Sequence, residues 1–218
     1  MRSLGLLAGA LRWPRLSHPL WAIAVRRRVS EKGRRSSTPQ ERRERRGQVD
    51  DPAVVMEAAA AFLAVRPRSI EETRRRLRHL GYRHELVDQV VERLVEMGYL
   101  DDEAFAQAWV ESRDRARPRG QLALRRELEQ KGVGRDILAA VLERRTDDAA
   151  DAGGADLPAA ERLLERRRAS LAREADPRRR RQKAYALLAR NGFDPEVCRQ
   201  ASSRWVESIS DESGPFPD

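Results

Sequence analysis

The chain has 218 residues, enough for one domain or a few small units, and its 5% aromatic content is low for a single deep core. The single cysteine, Cys198, excludes an intramolecular disulfide and favours a reducing compartment, and no apolar run approaches the roughly 18 residues of a membrane span. The net charge of +9 lies in residues 1–50, which hold 13 basic and 4 acidic side chains, whereas residues 51–218 hold 31 of each.

Residues 1–50 are rich in Arg and Ser and resemble a transit peptide in composition. The apolar stretch Leu4–Leu11 is too short for a signal sequence. Two interpretations are preferred and stay open: a disordered basic extension, or a start codon assigned too far upstream. In both cases we expect no folded unit before Asp51.

One sequence pattern occurs three times: Leu, three residues, Gly, a bulky apolar residue, three residues, and then Leu, Ile or Val. The copies are Leu77–Leu86, Leu128–Ile137 and Leu188–Val197, offset by 51 and then 60 residues. At the first offset Arg66-Pro67-Arg68-Ser69 also aligns with Arg117-Pro118-Arg119-Gly120. A period of this size indicates stacked supersecondary units.

The first repeat is predicted to span residues 51–98 as three helices. Ser69 and Glu72 form a capping box at the start of the middle helix. Gly81 is expected to end that helix in a left-handed conformation, as Gly132 does in the second repeat.

The second repeat is predicted to span residues 99–146. Asp101 or Asp102 is expected to cap its first helix, and Phe105 and Trp109 lie four residues apart on the face expected to be buried. These aromatic rings could stack on bases, but packing onto neighbouring helices is the interpretation we prefer.

A linker rich in Ala, Asp and Gly is predicted at 147–158, a third repeat at 159–209 and a frayed tail at 210–218. No segment alternates with a period of two, so the sequence predicts an all-α chain. Three three-helix units of roughly 50 residues are each marginally stable alone. We therefore expect three tandem three-helix repeats in an elongated, curved array.

Catalytic and metal-binding patterns are lacking in the sequence. His79 and His84 flank Gly81 and are typical of surface residues, and no HExxH, CxxC or P-loop pattern occurs. The acidic run Asp101-Asp102-Glu103 suits the start of a helix better than a metal site. We expect no enzyme activity, no metal and no cofactor.

Basic side chains are clustered in all three repeats. One interpretation is solvated helix faces with ion pairs along each helix. The other is a surface for a polyanion or an acidic protein. The candidate partner-binding residues, all expected to be exposed, are Arg66, Arg68, Arg74, Arg75, Arg78, Arg113, Arg117, Arg119, Arg125, Arg126, Arg178, Arg179, Arg180, Arg181 and Lys183.

The central segment carries a specific motif. Gly98–Val110 reads GYLDDEAFAQAWV and is followed by Arg113 and the run Glu127–Gly132, which reads ELEQKG. In this motif the chain resembles the RecX family of bacterial recombination regulators. The residues that we assign to the structural motif are Ser69, Gly81, Tyr99, Asp101, Asp102, Phe105, Trp109, Leu128 and Gly132.

The resemblance covers about residues 53–205 and implies tandem three-helix repeats. It implies a cytoplasmic, monomeric and non-catalytic modulator that binds in the groove of the RecA–DNA filament. Such a protein would restrain ATP hydrolysis, strand exchange and filament extension, with weak DNA binding of its own. The alternative is a stand-alone helical DNA-binding protein that acts through its arginine clusters.

Overall fold

The computed structural model describes residues 38–148 and 154–212, with side chains as far as residue 209, and all their regular structure is helical. The helices are α1 Pro39–Gly47, α2 Pro52–Leu63, α3 Ile70–Leu80, α4 His84–Glu96, α5 Asp102–Ala116, α6 Gln121–Gln130, α7 Arg135–Asp147, α8 Asp156–Arg166, α9 Arg168–Leu171, α10 Pro177–Arg190 and α11 Pro195–Glu212. The predicted all-α class is confirmed.

Three separate hydrophobic cores divide the helices into three repeats. Helices α2–α4 enclose the first core around Leu77 and Leu94, and α5–α7 enclose the second around Leu128. Helices α8, α10 and α11 enclose the third around Leu188, with short α9 beside them. Every pair of helices in broad contact belongs to one repeat, so the repeats meet through a few specific contacts.

The predicted signals at the middle helices are confirmed. Ser69 precedes α3, and its hydroxyl accepts the Glu72 amide hydrogen at 3.0 Å while Glu72 bonds back to the Ser69 amide. Gly81, Gly132 and Gly192 follow α3, α6 and α10 with φ of 104°, 80° and 80°. These left-handed positions suit glycine because it lacks a Cβ atom.

Helix α1 was not predicted. We expected no folded unit before Asp51, yet Thr38 caps α1 through a capping box with Glu41. Since α1 buries no residue and is polar on every side, its sequence shows no apolar stripe. Arg46 attaches α1 to the first repeat, donating to the Leu80 carbonyl at 3.4 Å and lying 5.9 Å from the Tyr82 ring centre. Residues 1–37 lie outside the described residues.

The third repeat begins and ends outside its predicted limits. Helix α7 runs to Asp147 and α8 starts at Asp156, so both enter the predicted linker, and residues 149–153 lie outside the described residues. Its first helical segment is interrupted at Arg167, which separates α8 from α9. Helix α11 continues to Glu212, past the predicted start of the tail, and residues 213–218 are not described.

Candidate partner-binding surface

The first and second repeats meet where the start of α3 touches the end of α6. The Ser69 hydroxyl, which is fully buried, donates to the Lys131 carbonyl at 2.5 Å. A Cβ atom at Gly132 would lie only 2.4 Å from the Cβ of Glu71, so glycine is required there by contact as well as by φ. We call this contact the first joint.

The second and third repeats meet in the same way at the second joint, where α6 starts and α10 ends. The Gly120 amide donates to the Asn191 carbonyl at 3.1 Å, and the Leu122 amide donates to the Gly192 carbonyl at 3.2 Å. Here the two backbone segments approach even more closely, because a Cβ at Gly120 would lie 2.2 Å from the Gly192 carbonyl oxygen.

An aspartate completes each joint. The amide of Ile70, the first residue of α3, donates to the Asp102 carboxylate at 2.9 Å, and the amide of Gln121, the first residue of α6, donates to Asp156 at 2.9 Å. Asp102 and Asp156 each begin the first helix of the following repeat. Such an aspartate satisfies an amide that has no partner within its own helix. Asp101, rather than Asp102, is the N-cap of α5.

A buried arginine reinforces the second joint. The Arg145 side chain is 7% exposed and forms two hydrogen bonds of 2.9 Å to Asp114 and one of 2.6 Å to Asp156. Burial lowers the pKa of Arg145, but the bonds to the two carboxylates outweigh it and raise the pKa overall. Arg145 therefore holds its charge between two repeats.

A groove of about 740 Å³ lies beside the first joint. Its walls come from both repeats: Phe62, Glu72, Arg75, Arg76, His79, Trp109, Arg113, Glu127, Gln130 and Lys131. Four of these residues are Arg or Lys and two are Glu, so the groove is net positive. Arg75 reaches across the joint and donates to the Gln130 carbonyl at 2.9 Å.

Trp109 contacts three other groove residues of the second repeat, namely Arg113, Glu127 and Lys131. Lys131 and Arg113 lie 4.2 and 4.4 Å from its ring centre, as in cation–π contacts. Its indole N–H donates to Glu127 at 2.8 Å, and Glu127 also accepts from Arg113 at 2.7 Å. Trp109 is half-buried and packs 6.0 Å from Phe105, so the preferred packing interpretation agrees with this placement.

Two carboxylates at the first joint have shifted pKa values of opposite sign. Burial raises the pKa of Asp102, and the hydrogen bond from Ile70 only partly opposes it. Burial also acts to raise the pKa of Glu72, but the hydrogen bond and charge of Lys131, 3.0 Å away, hold it below its usual value. Glu72 is therefore charged at neutral pH and engaged within the groove.

The predicted exposure is wrong for six of the candidate basic residues, which are only partly exposed: Arg68, Arg74, Arg78, Arg113, Arg119 and Arg180. Arg74 and Arg78 turn onto their own repeat, where each bonds Asp88 at 2.9 Å. Arg119 bonds the Asn191 side chain across the second joint, although its position at a break between helices predicted that it would reach outward.

The other candidates are exposed, and they lie on several helices and loops: Arg66, Arg75, Arg117, Arg125, Arg126, Arg178, Arg179, Arg181 and Lys183. Arg66 pairs with Glu72 at 3.3 Å, and Lys183 pairs with Glu174 at 2.5 Å. The structure thus brings Arg75 and Arg113 into one groove and leaves the α10 arginines at the third repeat, in a separate cluster.

Sequence reasoning missed Arg76, Glu127 and Lys131 as groove residues and Arg145 and Asp156 as joint residues. Arg145 contacts residues 31 and 11 positions away, so no local pattern marks it. The alignment of the repeats, which places Arg76 opposite Glu127, was a usable signal.

Among residues 38–148 and 154–209, no group of three His, Cys, Asp or Glu side chains could hold a metal ion. Cys198 is buried, and this burial raises the pKa of its thiol, so it is not an activated nucleophile. No helix in the described part of the chain is long and apolar enough to cross a membrane.

Comparison with known families matches all three repeats in order. Residues 56–94 match the first three-helix domain of RecX, residues 101–142 the second and residues 155–201 the third. The third match begins within the predicted linker, in agreement with the start of α8.

Relatives that match this chain over most of their length carry the same family name. The chain is 35% identical over 150 residues to Regulatory protein RecX of Prosthecochloris aestuarii, and this alignment covers 69% of this chain and 92% of the relative. It is 34% identical over 171 residues to Regulatory protein RecX of Deinococcus radiodurans, which covers 75% and 78%.

Solved structures show the same fold. The crystal structure of RecX from Lactobacillus salivarius superposes with a TM-score of 0.61 at 19% identity and covers 73% of this chain and 99% of that one. A second crystal structure of regulatory protein RecX gives a TM-score of 0.59 at 21% identity and covers 70% and 71%. From the three domain matches and the sequence identity of the relatives, the chain belongs to the RecX family of regulatory proteins.

Proposed function

We propose that this chain is a negative modulator of the RecA recombinase. It binds in the groove of the RecA–DNA filament and inhibits ATP hydrolysis, strand exchange and filament extension. It acts in the cytoplasm as a monomer and needs no cofactor. The observation that carries the proposal is the match of all three RecX domains, in order, across residues 56–201.

The geometry supports a role in binding along a polymer. Three small cores are connected through two joints of one design, so each repeat is placed relative to the next by hydrogen bonds at the same helix ends. A repeat array presents surface from every unit, which suits contact with several subunits of a filament. The groove beside the first joint offers guanidinium groups, which bind carboxylates and phosphates.

The test is a titration of DNA-dependent ATP hydrolysis by RecA with the purified chain. We expect the rate to fall at substoichiometric to near-equal ratios of chain to RecA, with a parallel loss of strand exchange. An unchanged ATPase rate and unchanged strand exchange over a wide range of ratios would reject the proposal.

A stand-alone DNA-binding function is the second candidate, favoured by the exposed basic residues of α6 and α10: Arg125, Arg126, Arg178, Arg179 and Arg181. That function requires tight binding to bare DNA with a log–log salt slope of about 0.7–0.9 per phosphate contacted. We expect weak binding with a shallow slope instead, which a fluorescence anisotropy titration at several salt concentrations would measure.

A further inference from the structure

The first and second repeats differ in charge at one matched site. At the offset of 51 residues, Arg68 corresponds to Arg119, but Arg76 corresponds to Glu127. The second repeat therefore has a carboxylate where the first has a guanidinium. Arg76 lies on α3 and Glu127 lies on α6, which are the middle helices of their repeats, so the surroundings of these two residues can be compared directly.

In the second repeat the carboxylate of Glu127 forms ion pairs with two nearby arginines. It accepts a hydrogen bond of 2.7 Å from Arg113 and lies 3.6 Å from the Nε of Arg119. The contact with Arg119 is an ion pair and not a hydrogen bond. The Glu127 side chain is 22% exposed, so both interactions form in a partly desolvated place, where they are stronger than in water. The second repeat thus supplies its own counter-ion.

In the first repeat, the corresponding site has cations without that counter-ion. Arg68 stacks over the Phe62 ring with its guanidinium carbon 4.1 Å from the ring centre, and Arg76 approaches the same ring at 5.8 Å. Among the residues that the structure describes, neither guanidinium forms an ion pair. The Nε atoms of Arg68 and of its counterpart Arg119 are both buried without a hydrogen-bond partner, but only Arg119 has a carboxylate, that of Glu127, within ion-pair distance. Such a donor is costly to bury unless it finds an acceptor.

The electrostatic surroundings support this description. Burial lowers the pKa of Arg68, and the charges of Arg66 and Arg76 lower it further. Glu72 attracts Arg68 from a longer distance, but its carboxylate is already bound to Lys131 at 3.0 Å and Arg66 at 3.3 Å. On the other side of Arg76, the hollow of about 570 Å³ against α1 is lined by further arginines and by no carboxylate.

We infer that the site between Arg68 and Arg76 binds the carboxylate of an acidic side chain from a protein partner, in the place that Glu127 occupies in the second repeat. The acidic side chain enters through the groove beside the first joint, which Phe62 and Arg76 line. The phenyl ring keeps the two guanidinium groups in position, and the carboxylate accepts hydrogen bonds from both.

A carboxylate fits this site better than a nucleic-acid backbone. The same groove contains the carboxylates of Glu72 and Glu127, which would repel a run of phosphates laid along it. A single acidic side chain carries one charge, so these two carboxylates repel it less than they repel a run of phosphates. The inference relies on the proposed function only for the choice of RecA as the partner to test.

The first test uses the chain alone. Arg76→Glu places a carboxylate within reach of Arg68, so we expect Tm to rise by about 2 °C, as an ion pair of modest strength would give. Arg76→Gln only removes repulsion and should raise Tm less. In the matched control Arg93→Glu, on α4 outside the groove, the pair with Glu96 is lost and Tm should not rise. The inference fails if Arg76→Glu melts no higher than Arg76→Gln.

The second test measures the affinity of the same variants for RecA–DNA filaments. Arg76→Glu fills the site from within and should weaken binding at least tenfold, about 1.4 kcal/mol, while Arg93→Glu should bind within threefold of the natural chain. Equal affinities for the two variants would overturn the inference and leave the proposed function standing. If the natural chain itself does not bind filaments, the proposed function fails, and the melting comparison alone decides whether the site accepts a carboxylate.

The third test identifies the source of the acidic group. Arg76→Lys places an amine at the site, and a carbodiimide should join it to a carboxylate in contact, while a phosphate gives no stable amide. We expect mass spectrometry to find residue 76 linked to an Asp or Glu of RecA. A link to an acidic residue of this chain, or an equal loss of binding by Arg76→Glu to bare DNA and to filaments, would contradict the inference.

Discussion

The two joints have one geometry and different chemistry. In the first joint a serine hydroxyl donates to the facing helix end, whereas in the second a glycine amide does so over a closer backbone approach. In both, the first amide of a middle helix donates to an aspartate that starts the next repeat. The comparison shows that backbone positions define the joint, while the side chain at the N-cap can change.

The largest expected effect is the loss of stability when the buried ion pairs of Arg145 at the second joint are removed. Arg145→Met should lower the free energy of unfolding by about 3–5 kcal/mol, because it leaves Asp114 and Asp156 partly buried without their partner. The neighbouring variant Arg144→Met removes an exposed pair with Glu103 and should cost less than about 1 kcal/mol. Urea denaturation of both variants checks this difference, and similar losses would show that Arg145 does not hold the second joint.

The second prediction ranks three glycines that share a positive φ. Alanine in the left-handed region costs about 1–2 kcal/mol, and overpacking adds about 1–3 kcal/mol where the new Cβ has no space. Gly192→Ala should cost most because its Cβ would lie 2.5 Å from the backbone nitrogen of Ala123. Gly132→Ala should follow, since Glu71 opposes it at 2.4 Å, and Gly98→Ala should cost least because its Cβ meets nothing. Thermal melting that ranks Gly98→Ala with the other two would disprove the close approach.

A third prediction concerns the hydroxyl of the first joint. Ser69→Ala removes both the cap of α3 and the bond to Lys131, and should cost about 1–2 kcal/mol. The control is Thr38→Ala, which removes the same type of cap from α1 but no bond between repeats. Its effect on global unfolding should be close to zero. Equal effects in chemical denaturation would mean that the bond to Lys131 adds nothing.

The smallest effect is a pH dependence at Asp102. Its raised pKa in the folded state means that folding takes up a proton between the unfolded pKa near 4 and the higher folded value. Its contribution to stability therefore falls as pH rises through that window. Asp102→Asn keeps an oxygen for the Ile70 amide and should be at least as stable as the natural chain at pH 7, with this advantage lost below pH about 4. Denaturation curves at the two pH values measure the difference, and an advantage that grows at low pH would contradict the assignment.

The elements within each repeat were readable from the sequence. The capping box at Ser69 and the glycines at 81 and 132 depend on local rules of helix ends, and the structure has them as predicted. Gly192, at the matching position of the third repeat, has the same left-handed conformation. The apolar stripes also identified the three cores, because burial within a helical hairpin imposes a helical period.

Contacts between repeats were not readable in this way. Ser69 and Lys131 are 62 positions apart, and the polar atoms of the joints follow no hydrophobic period. Helix α1 could not be predicted for the same reason, because it is polar on every side. The inward turn of Arg119 could not be predicted either, because it depends on Asn191 in another repeat. Aligning the repeats with each other would have shown the Arg76 and Glu127 difference, since it needs no knowledge of the fold.

The most direct measurement of the central claim is co-sedimentation of the chain with RecA–DNA filaments and, at the same salt concentration, with bare DNA. The account predicts that the chain pellets with the filament at ratios below one per RecA subunit and stays largely in solution with bare DNA. Equal recovery with both, or none with the filament, would contradict it.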